Sequence, residues 1–237
     1  MKKPKKTPSF IKHFIFCVLI AGLFVLSATP AISEEPTKEQ ALVDKSLMTF
    51  KKFLARSDMA YFHEHLKDSL GMMIVPTFIK AGFVLGGAGG QGVLLARDEK
   101  TGEWSGPAFY TIGSGSLGLQ IGGQWSELIL LIKSQKVMES LYASSFKMGG
   151  DIAVAAGPDG TGAAAKGLSA DIVSFFRSKG AYAGISFDGS VLATRDTSNN
   201  AYYGTQVRPV DVFVLHKVSN PHSAQLREAL ANATELP

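Results

Sequence analysis

The sequence has 237 residues, of which 46% are hydrophobic, 19% are charged and one is a cysteine. This length and composition suit one globular domain, or at most two small ones, and they exclude a disordered chain. A single cysteine, Cys17, cannot form an internal bridge, so a disulfide scaffold is excluded as well. The formal net charge of +4 at pH 7 raises the question of a nucleic-acid partner.

The excess of positive charge lies at the start of the chain. Residues 1–33 contain five of the 24 Lys and Arg residues and no Asp or Glu. The rest of the chain holds 19 basic and 20 acidic residues, which is a net charge of −1. We therefore expect no nucleic-acid partner, because the basic charge belongs to the leader.

The leader has the pattern of a secretory signal peptide. Lysines precede the uncharged apolar stretch Phe14–Ala28, and small residues follow it. This predicts a signal peptide over residues 1–33, with cleavage before Glu34, and an exported chain that is periplasmic or extracellular. Fifteen apolar residues are short for a membrane span, which needs about 20. An uncleaved anchor from Ile11 to Ile32 stays open as the alternative.

Two helices are predicted at the start of the mature chain. Thr37 and Gln40 form a capping box ahead of an apolar stripe with helical period, which predicts a helix over about Lys38–Arg56. The stripe consists of Val43, Leu47, Phe50 and Leu54. A second helix is predicted after the Ser57-Asp58 cap, ending at Gly71.

Strands are predicted between these helices and about residue 194. Apolar runs of strand length are separated there by Gly and Pro, and 24 of the 25 glycines lie between Gly71 and Gly204. The runs are 72–75, 83–85, 93–96, 108–112, 116–122, 128–132, 152–156, 172–177, 181–187 and 191–194. A helix is predicted over Lys133–Tyr142, a hairpin turn at Asp188-Gly189, and short helices begin at Pro209 and Pro221.

These elements predict an α+β fold with a glycine-rich, mainly antiparallel β-sheet core, two N-terminal helices and short C-terminal helices. The domain organisation that follows is a signal peptide over residues 1–33 and one domain over residues 34–237. The strand 116–122 alternates apolar and small or polar residues, so one face of the sheet can stay in contact with solvent.

The usual signatures of catalysis and of cofactor binding are absent from the sequence. A G-x-G-x-x-G pattern at Gly87, Gly89 and Gly92 leads into a strand rather than a helix, so it does not indicate a nucleotide site. The chain has no G-x-S-x-G motif, and the mature part has no cysteine. His63 and His65 are two residues apart on a helix and point in opposite directions. We expect no enzyme, no metal and no cofactor.

The remaining candidate site is basic. Lys45, Lys52 and Arg56 follow one another at i, i+7 and i+11 along the first helix, and Lys51 lies beside them. If the apolar stripe packs on the sheet, these charges face outward and can meet an anionic phospholipid surface, with a gain of about 1 kcal/mol per basic residue. The alternative is an ordinary solvated helix face, with Asp44 nearby.

Several longer segments of the sequence resemble the SYLF domain family in order and spacing. They are IVPTFIKAGFVLGGAGGQGVLLAR (74–97), GSLGLQIGGQ (115–124), KMGGDIAVAAGPDG (147–160), DIVSFFRSKGAYAGISFDGSVL (171–192) and NNAYYG (199–204). The resemblance implies a lipid-binding module without catalysis. Eukaryotic members are linked to phosphoinositide binding and actin-patch regulation, and bacterial members are commonly exported envelope proteins.

The leader and the resemblance together predict an exported, non-enzymatic lipid-binding module that docks on anionic phospholipid membrane surfaces and is peripheral on the membrane. The lipid-binding residues expected from the basic row are Lys45, Lys51, Lys52 and Arg56. The alternative is a structural or protein-interaction component of the cell envelope that binds an envelope protein. Because an exported protein would not normally meet cytoplasmic actin, actin is not expected as a partner.

Overall fold

The computed structural model describes residues 35–82, 85–117, 122–149, 152–156, 170–178, 187 and 189–235. The predicted signal peptide with its cleavage site lies outside the described residues, as do most of the predicted strand 181–187 and Asp188. The described residues have the α+β architecture predicted from the sequence, with one eight-stranded sheet flanked by helices. No helix among them is both long enough and apolar enough to cross a membrane.

The first helix, α1, spans Lys38–Leu54 and begins as the sequence predicts. The backbone N–H of Gln40 donates to Thr37 Oγ1 at 3.2 Å, and the Thr37 N–H donates to Gln40 Oε1 at 2.9 Å. These two bonds satisfy N–H groups that a helix start otherwise leaves without a partner. The capping box is therefore confirmed.

The second helix, α2, spans Ala60–Leu66 and is shorter than predicted. Its N-terminal cap position is Met59, which offers no side-chain hydrogen bond. The predicted cap was wrong because Asp58 binds Arg56 instead, accepting from its Nε at 2.8 Å. Met59, Phe62 and Leu66 are buried as the apolar spacing predicts.

Eight strands form one sheet in the order β5-β8-β3-β2-β1-β4-β7-β6. All neighbouring pairs are antiparallel except β6 and β7, which are parallel. The strands are β1 (Gly71–Gly82), β2 (Leu85–Ala96), β3 (Ala108–Leu117), β4 (Gly122–Ile132), β5 (Ser145–Lys147), β6 (Val154–Ala156), β7 (Ile172–Ser178) and β8 (Val191–Thr194).

The first four strands are longer than the apolar runs that predicted them. The glycine-rich stretch 86–92 is part of β2, paired on both sides, and is not a turn. Of the predicted strand 116–122, Ser116 and Leu117 belong to β3 and Gly122 begins β4, whereas residues 118–121 lie outside the described residues. Gly92 is required by close approach, since a Cβ there would lie 2.2 Å from the carbonyl oxygen of Ile74 on β1.

The helices after the sheet's central strands are α3 (Gln135–Ser140), α4 (Asp196–Tyr203), α5 (Pro209–Phe213), a 3-10 helix (Pro221–Ser223) and α6 (Ala224–Glu235). Both predicted proline starts are confirmed, and Asn220 caps the 3-10 helix by accepting from the His222 N–H at 3.0 Å. Helix α4 was not predicted. Gly189 has a φ of +76°, as expected for its turn position.

Each face of the sheet carries its own apolar cluster. Helices α1, α2 and α6 pack on one face through buried side chains such as Phe50, Phe62 and Leu230. The opposite face packs against α3, α5 and the end strands, around Phe78 and Tyr110. The sheet is therefore the central layer of the fold, with an apolar cluster on each of its two faces.

The helix-bearing face divides into two halves along the same strands. Its covered half is buried under the helices and contains Met72, Ile74, Val93, Leu95, Phe109, Ile129 and Leu131. Its continuation, which we call the open face, contains Thr77, Ile79, Gly87, Gly89, Gln91, Gly113, Gly115, Gly123 and Trp125, none of them buried. Side chains alternate along a strand, so both halves belong to one side of the sheet.

Candidate functional site

A buried carboxylate joins α1 to the sheet at the border between the two halves. Glu127 on β4 accepts from Lys52 Nζ at 2.7 Å and from Thr49 Oγ1 at 3.4 Å. Arg177, opposite Glu127 on β7, binds the second carboxylate oxygen through its Nε. One predicted lipid-binding residue, Lys52, therefore contacts the sheet and holds α1 against it.

These contacts decide the charge state of Glu127. Burial alone would raise the pKa of the carboxyl group, but the hydrogen bonds and positive charges of Arg177 and Lys52 outweigh it and hold the pKa below its ordinary value. The side chain of Glu127 is 3% exposed, whereas those of Lys52 and Arg177 are 44% and 35% exposed. The carboxylate is thus hidden while both cations reach the surface.

The other three predicted residues have different surroundings. Arg56 binds Asp58 through a two-bond contact. Lys45 is exposed and has no side-chain hydrogen bond or ion pair among the described residues. Lys51 is exposed and lies about 100° around the helix from Lys52. The expectation of one outward-facing row is therefore wrong for Lys52, because Glu127 turns its side chain to the sheet.

Lys45 instead belongs to a cleft between α1 and the sheet. The cleft has a volume of about 160 Å³ and is lined by Lys38, Leu42, Lys45, Gln91 and Arg195. Three of these residues are cations, one is an amide, and none of the described lining residues is a carboxylate. Like Lys45, Arg195 has no side-chain hydrogen bond or ion pair among the described residues. The arrangement can accept an anionic group.

Sequence reasoning missed two groups of residues: Lys38, Gln91 and Arg195 in the cleft, and Glu127 with Arg177 at the buried carboxylate. Only the folded chain brings the members of each group together. Glu127 offered a signal, since it is a charged residue directly before the apolar run 128–132. A carboxylate at such a position needs a cationic partner when it is buried.

The histidines do not form a metal centre in the described part of the chain, which contains no group of three or more His, Cys, Asp or Glu residues placed to hold an ion. His65 is buried, since it is 2% exposed and its ring lies against the ring of Tyr61. Burial, and next the charge of Lys133, lower the pKa of His65.

Comparison with known proteins gives one family and several curated relatives. The profile of the Ysc84 family, described as "Las17-binding protein actin regulator", matches residues 113–233. The chain is 32% identical over 145 residues to LAS seventeen-binding protein 3 of Saccharomyces cerevisiae, which covers 59% of this chain and 31% of the yeast protein. It is 33% identical over 146 residues to Protein YSC84 of the same yeast, covering 59% and 31% of the two chains.

A mammalian relative extends the comparison. The chain is 31% identical over 168 residues to SH3 domain-containing YSC84-like protein 1 of Bos taurus, covering 69% of this chain and 49% of the bovine protein. The match therefore spans about a third of the yeast relatives and about half of the bovine one. No solved structure gives a significant match.

These names correct one expectation drawn from the sequence. Actin was not expected as a partner, because the predicted leader would export the chain. The family that matches is described as an actin regulator, and a yeast relative is named for binding LAS seventeen. The exclusion of actin was therefore wrong. It depended on the fate of residues 1–33, which the matched region 113–233 does not include.

Proposed function

The chain belongs to the Ysc84 family, the SYLF domain family that its sequence resembles, and from this premise we propose that it is a non-catalytic module that docks on anionic phospholipid surfaces. The observation that carries the proposal is the cleft lined by Lys38, Lys45 and Arg195 together with Gln91. A phosphate group on a membrane surface offers negative charge and acceptor oxygens, which the side chains of Lys45 and Arg195 do not receive from any described residue.

The balance of exposed charge around the cleft supports this docking. The cleft is lined by the cations Lys38, Lys45 and Arg195, and its described lining includes no carboxylate. Glu39, 3.8 Å from Lys38, is buried. The exposed carboxylates Asp44 and Asp196, each next in sequence to a cleft cation, bind His222 and Thr194 instead. Positive charge therefore predominates at the cleft. Each cation near an anionic bilayer contributes about 1 kcal/mol at low salt.

Vesicle co-sedimentation tests the proposal with two matched double variants. Lys45→Glu with Arg195→Glu reverses the two cleft cations that have no partner among the described residues. Lys100→Glu with Lys136→Glu makes the same change of net charge at exposed positions away from the cleft. The natural protein should sediment with phosphatidylserine vesicles and not with neutral phosphatidylcholine vesicles.

The cleft variant should bind phosphatidylserine vesicles about thirtyfold more weakly or worse, which corresponds to the loss of two cations. The control variant should stay within about threefold, because Lys100 and Lys136 lie beyond the ends of β2 and β4. Those ends are five strand residues, roughly 16 Å, from Gln91 and Glu127, which exceeds a Debye length of roughly 8 Å at physiological salt. Binding of the natural protein should also weaken as salt rises. Equal binding to neutral vesicles, or equal loss in both variants, would contradict the proposal.

The family description favours a second candidate function, which is binding to an actin-regulatory protein or to actin. Co-sedimentation with filamentous actin tests it directly. Sedimentation with filaments in the absence of lipid would support this function, and the two double variants would then show whether the cleft takes part. Binding to a protein of the cell envelope, the alternative given by the sequence, is also a protein-binding function. It additionally requires the chain to be exported.

A further inference from the structure

The open face carries a row of five paired residues on five strands, of which three have exposed apolar side chains and two are glycines. Ile79 on β1 pairs with Trp125 on β4 and, on its other side, with Gly89 on β2. Gly89 pairs with Gly113 on β3, and Gly113 pairs with Val191 on β8. The row from Trp125 to Val191 is thus continuous and spans roughly 19 Å at the usual strand spacing.

The three side chains of this row are unusually exposed for their type. Ile79 is 52% exposed, Trp125 is 43% exposed and Val191 is 39% exposed. They make up half of the six large apolar residues that are exposed in the described part of the chain. Large apolar side chains that are exposed together on one face indicate an interaction site.

The glycines of the row make its centre flat. Gly89 and Gly113 lie between Ile79 and Val191, so the backbone itself forms the surface there. At Gly113 a Cβ would meet nothing within 4 Å, and the same holds for Gly115 and Gly123 on the same face. Contacts among the described residues do not require glycine at these three positions.

Basic residues border the row along the side where α1 lies. Gln91, two residues along β2 from Gly89 and on the same face, lines the cleft with Lys45 and Arg195. Glu127, two residues along β4 from Trp125, is bound by Lys52 and Arg177. The apolar row therefore has exposed cations along one edge and no exposed carboxylate among these neighbours.

We propose that the open face lies against the anionic bilayer, with Trp125 and Ile79 in the interfacial region and the basic border on the phosphate groups. This proposal rests on the proposed function and places the docking on the sheet rather than on the outer face of α1. A Trp side chain favours the membrane interface because its ring is apolar and its N–H is polar. The positive border matches an anionic surface. The flat centre, where the backbone is exposed, suits a bilayer better than it suits a protein partner, whose projecting side chains would need complementary pockets.

The two tryptophans of the chain make the proposal measurable. Trp104 is 2% exposed in the core, so its emission should not respond to lipid, whereas Trp125 is exposed on the row. The experiment records tryptophan emission of the full chain with phosphatidylserine vesicles, with and without bromine on the acyl chains, which quenches nearby indoles. A Trp125→Phe variant supplies the Trp104 signal alone.

We expect a blue shift and bromine quenching in the natural protein, and neither in Trp125→Phe. Gly113→Glu should weaken vesicle binding at least tenfold, because it puts a carboxylate on the face where a side chain has room. Gln225→Glu is the matched control, since it adds the same charge at an exposed position of α6, and it should leave binding within twofold. Circular dichroism should show the same fold for all variants.

Three outcomes would overturn the proposal, and they can be distinguished from one another. If the protein sediments with the vesicles but Trp125 emission does not change, docking uses another surface, although the proposed function stands. If it does not sediment at all, both proposals fail. If Trp125 emission shifts with protein concentration in the absence of vesicles, a second copy of the chain covers the open face.

Discussion

The covered and open halves of the helix-bearing face are made by the same strands but have opposite compositions. In the covered half, the positions on β1 and β2 that face the helices are Met72, Ile74, Val93 and Leu95, all at most 1% exposed. In the open half, the same two strands present Thr77, Ile79, Gly87, Gly89 and Gln91. The difference shows that the sheet extends beyond its helical cover, where strand pairing and the packing of residues such as Phe78 on the opposite side hold it.

Glycines on the two sides of the sheet also differ in the reason that glycine is present. At Gly90 and Gly92, on the opposite side of β2, a Cβ would lie 2.3 and 2.2 Å from carbonyl oxygens of β1. At Gly113 and Gly123 on the open face a Cβ would meet nothing within 4 Å. The first pair permits close packing at the irregularity in β1 between Ile74 and Thr77, whereas the second pair leaves a surface free.

Two isoleucines of one strand should give the largest contrast between the halves. Ile74→Ala should lower the free energy of unfolding by about 4 kcal/mol, because Ile74 is fully buried between β1 and the helices. Ile79→Ala should lower it by less than about 0.5 kcal/mol, since its side chain is half exposed. Urea unfolding of both variants measures the difference. Equal losses would mean that the open face is covered in solution.

The glycines should give the next largest contrast. Gly92→Ala should cost about 3 kcal/mol, because its Cβ meets a backbone oxygen that cannot move aside. Gly113→Ala should leave stability unchanged or raise it by up to about 0.5 kcal/mol, since alanine is the better strand residue and has room. Thermal unfolding followed by circular dichroism measures both changes. A large loss at Gly113 would show that another part of the chain packs there.

The sequence predicted the elements whose signals are local. Helix α1 with its capping box, β8 at Val191–Thr194 and the proline starts at Pro209 and Pro221 all depend on residues within a few positions of one another. The strand through Gly86–Gly92 was missed because glycine usually indicates turns, and here the pairing of β1 and β3 on either side overrides that preference.

Helix α4 was missed for a similar reason. Its sequence, DTSNNAYY, contains poor helix formers, so local propensity does not predict it. Tertiary contacts compensate, because Asn199 accepts from the Phe109 N–H at 2.7 Å and donates to the Phe109 carbonyl oxygen at 3.4 Å. The candidate site shows the same limit. Lys52 and Glu127 are 75 residues apart, and no spacing rule connects them.

The contact between α1 and the sheet at Glu127, on the border between the two halves, should lose stability at low pH. The pKa of Glu127 in the folded protein lies below the ordinary value of 4.5. The contribution of Glu127 to stability is therefore complete above pH 4.5, and it is lost as the pH falls through the lower pKa of the folded protein. Glu127→Gln should cost about 2 kcal/mol at pH 7, by removing charged hydrogen bonds to Lys52 and Arg177.

The pH dependence separates this interaction from a simple packing defect. The difference in stability between the natural protein and Glu127→Gln should shrink as the pH falls below 4.5 towards the lower pKa of folded Glu127, because the unfolded chain then binds the proton more readily than the folded protein. Chemical unfolding at pH 7, 5 and 3 measures it. A difference that is the same at all three values would mean that the charge on Glu127 does not stabilise the contact between α1 and the sheet.

The smallest effect is expected within the cover itself, at the contact between Asp44 on α1 and His222 in the 3-10 helix. His222 Nε2 lies 2.9 Å from Asp44 Oδ1, but the Asp44 side chain is 54% exposed and solvent screens the pair. Asp44→Ala and His222→Ala should each cost no more than about 0.5 kcal/mol, and the coupling energy from the double variant should be of the same size. A coupling above about 1.5 kcal/mol would show that this pair fixes α1 over the sheet. The expected small value would mean that burial of apolar side chains such as Phe50, rather than this ion pair, holds α1 on the covered half of the face. The open half lacks such buried apolar side chains, which explains why no described helix covers it.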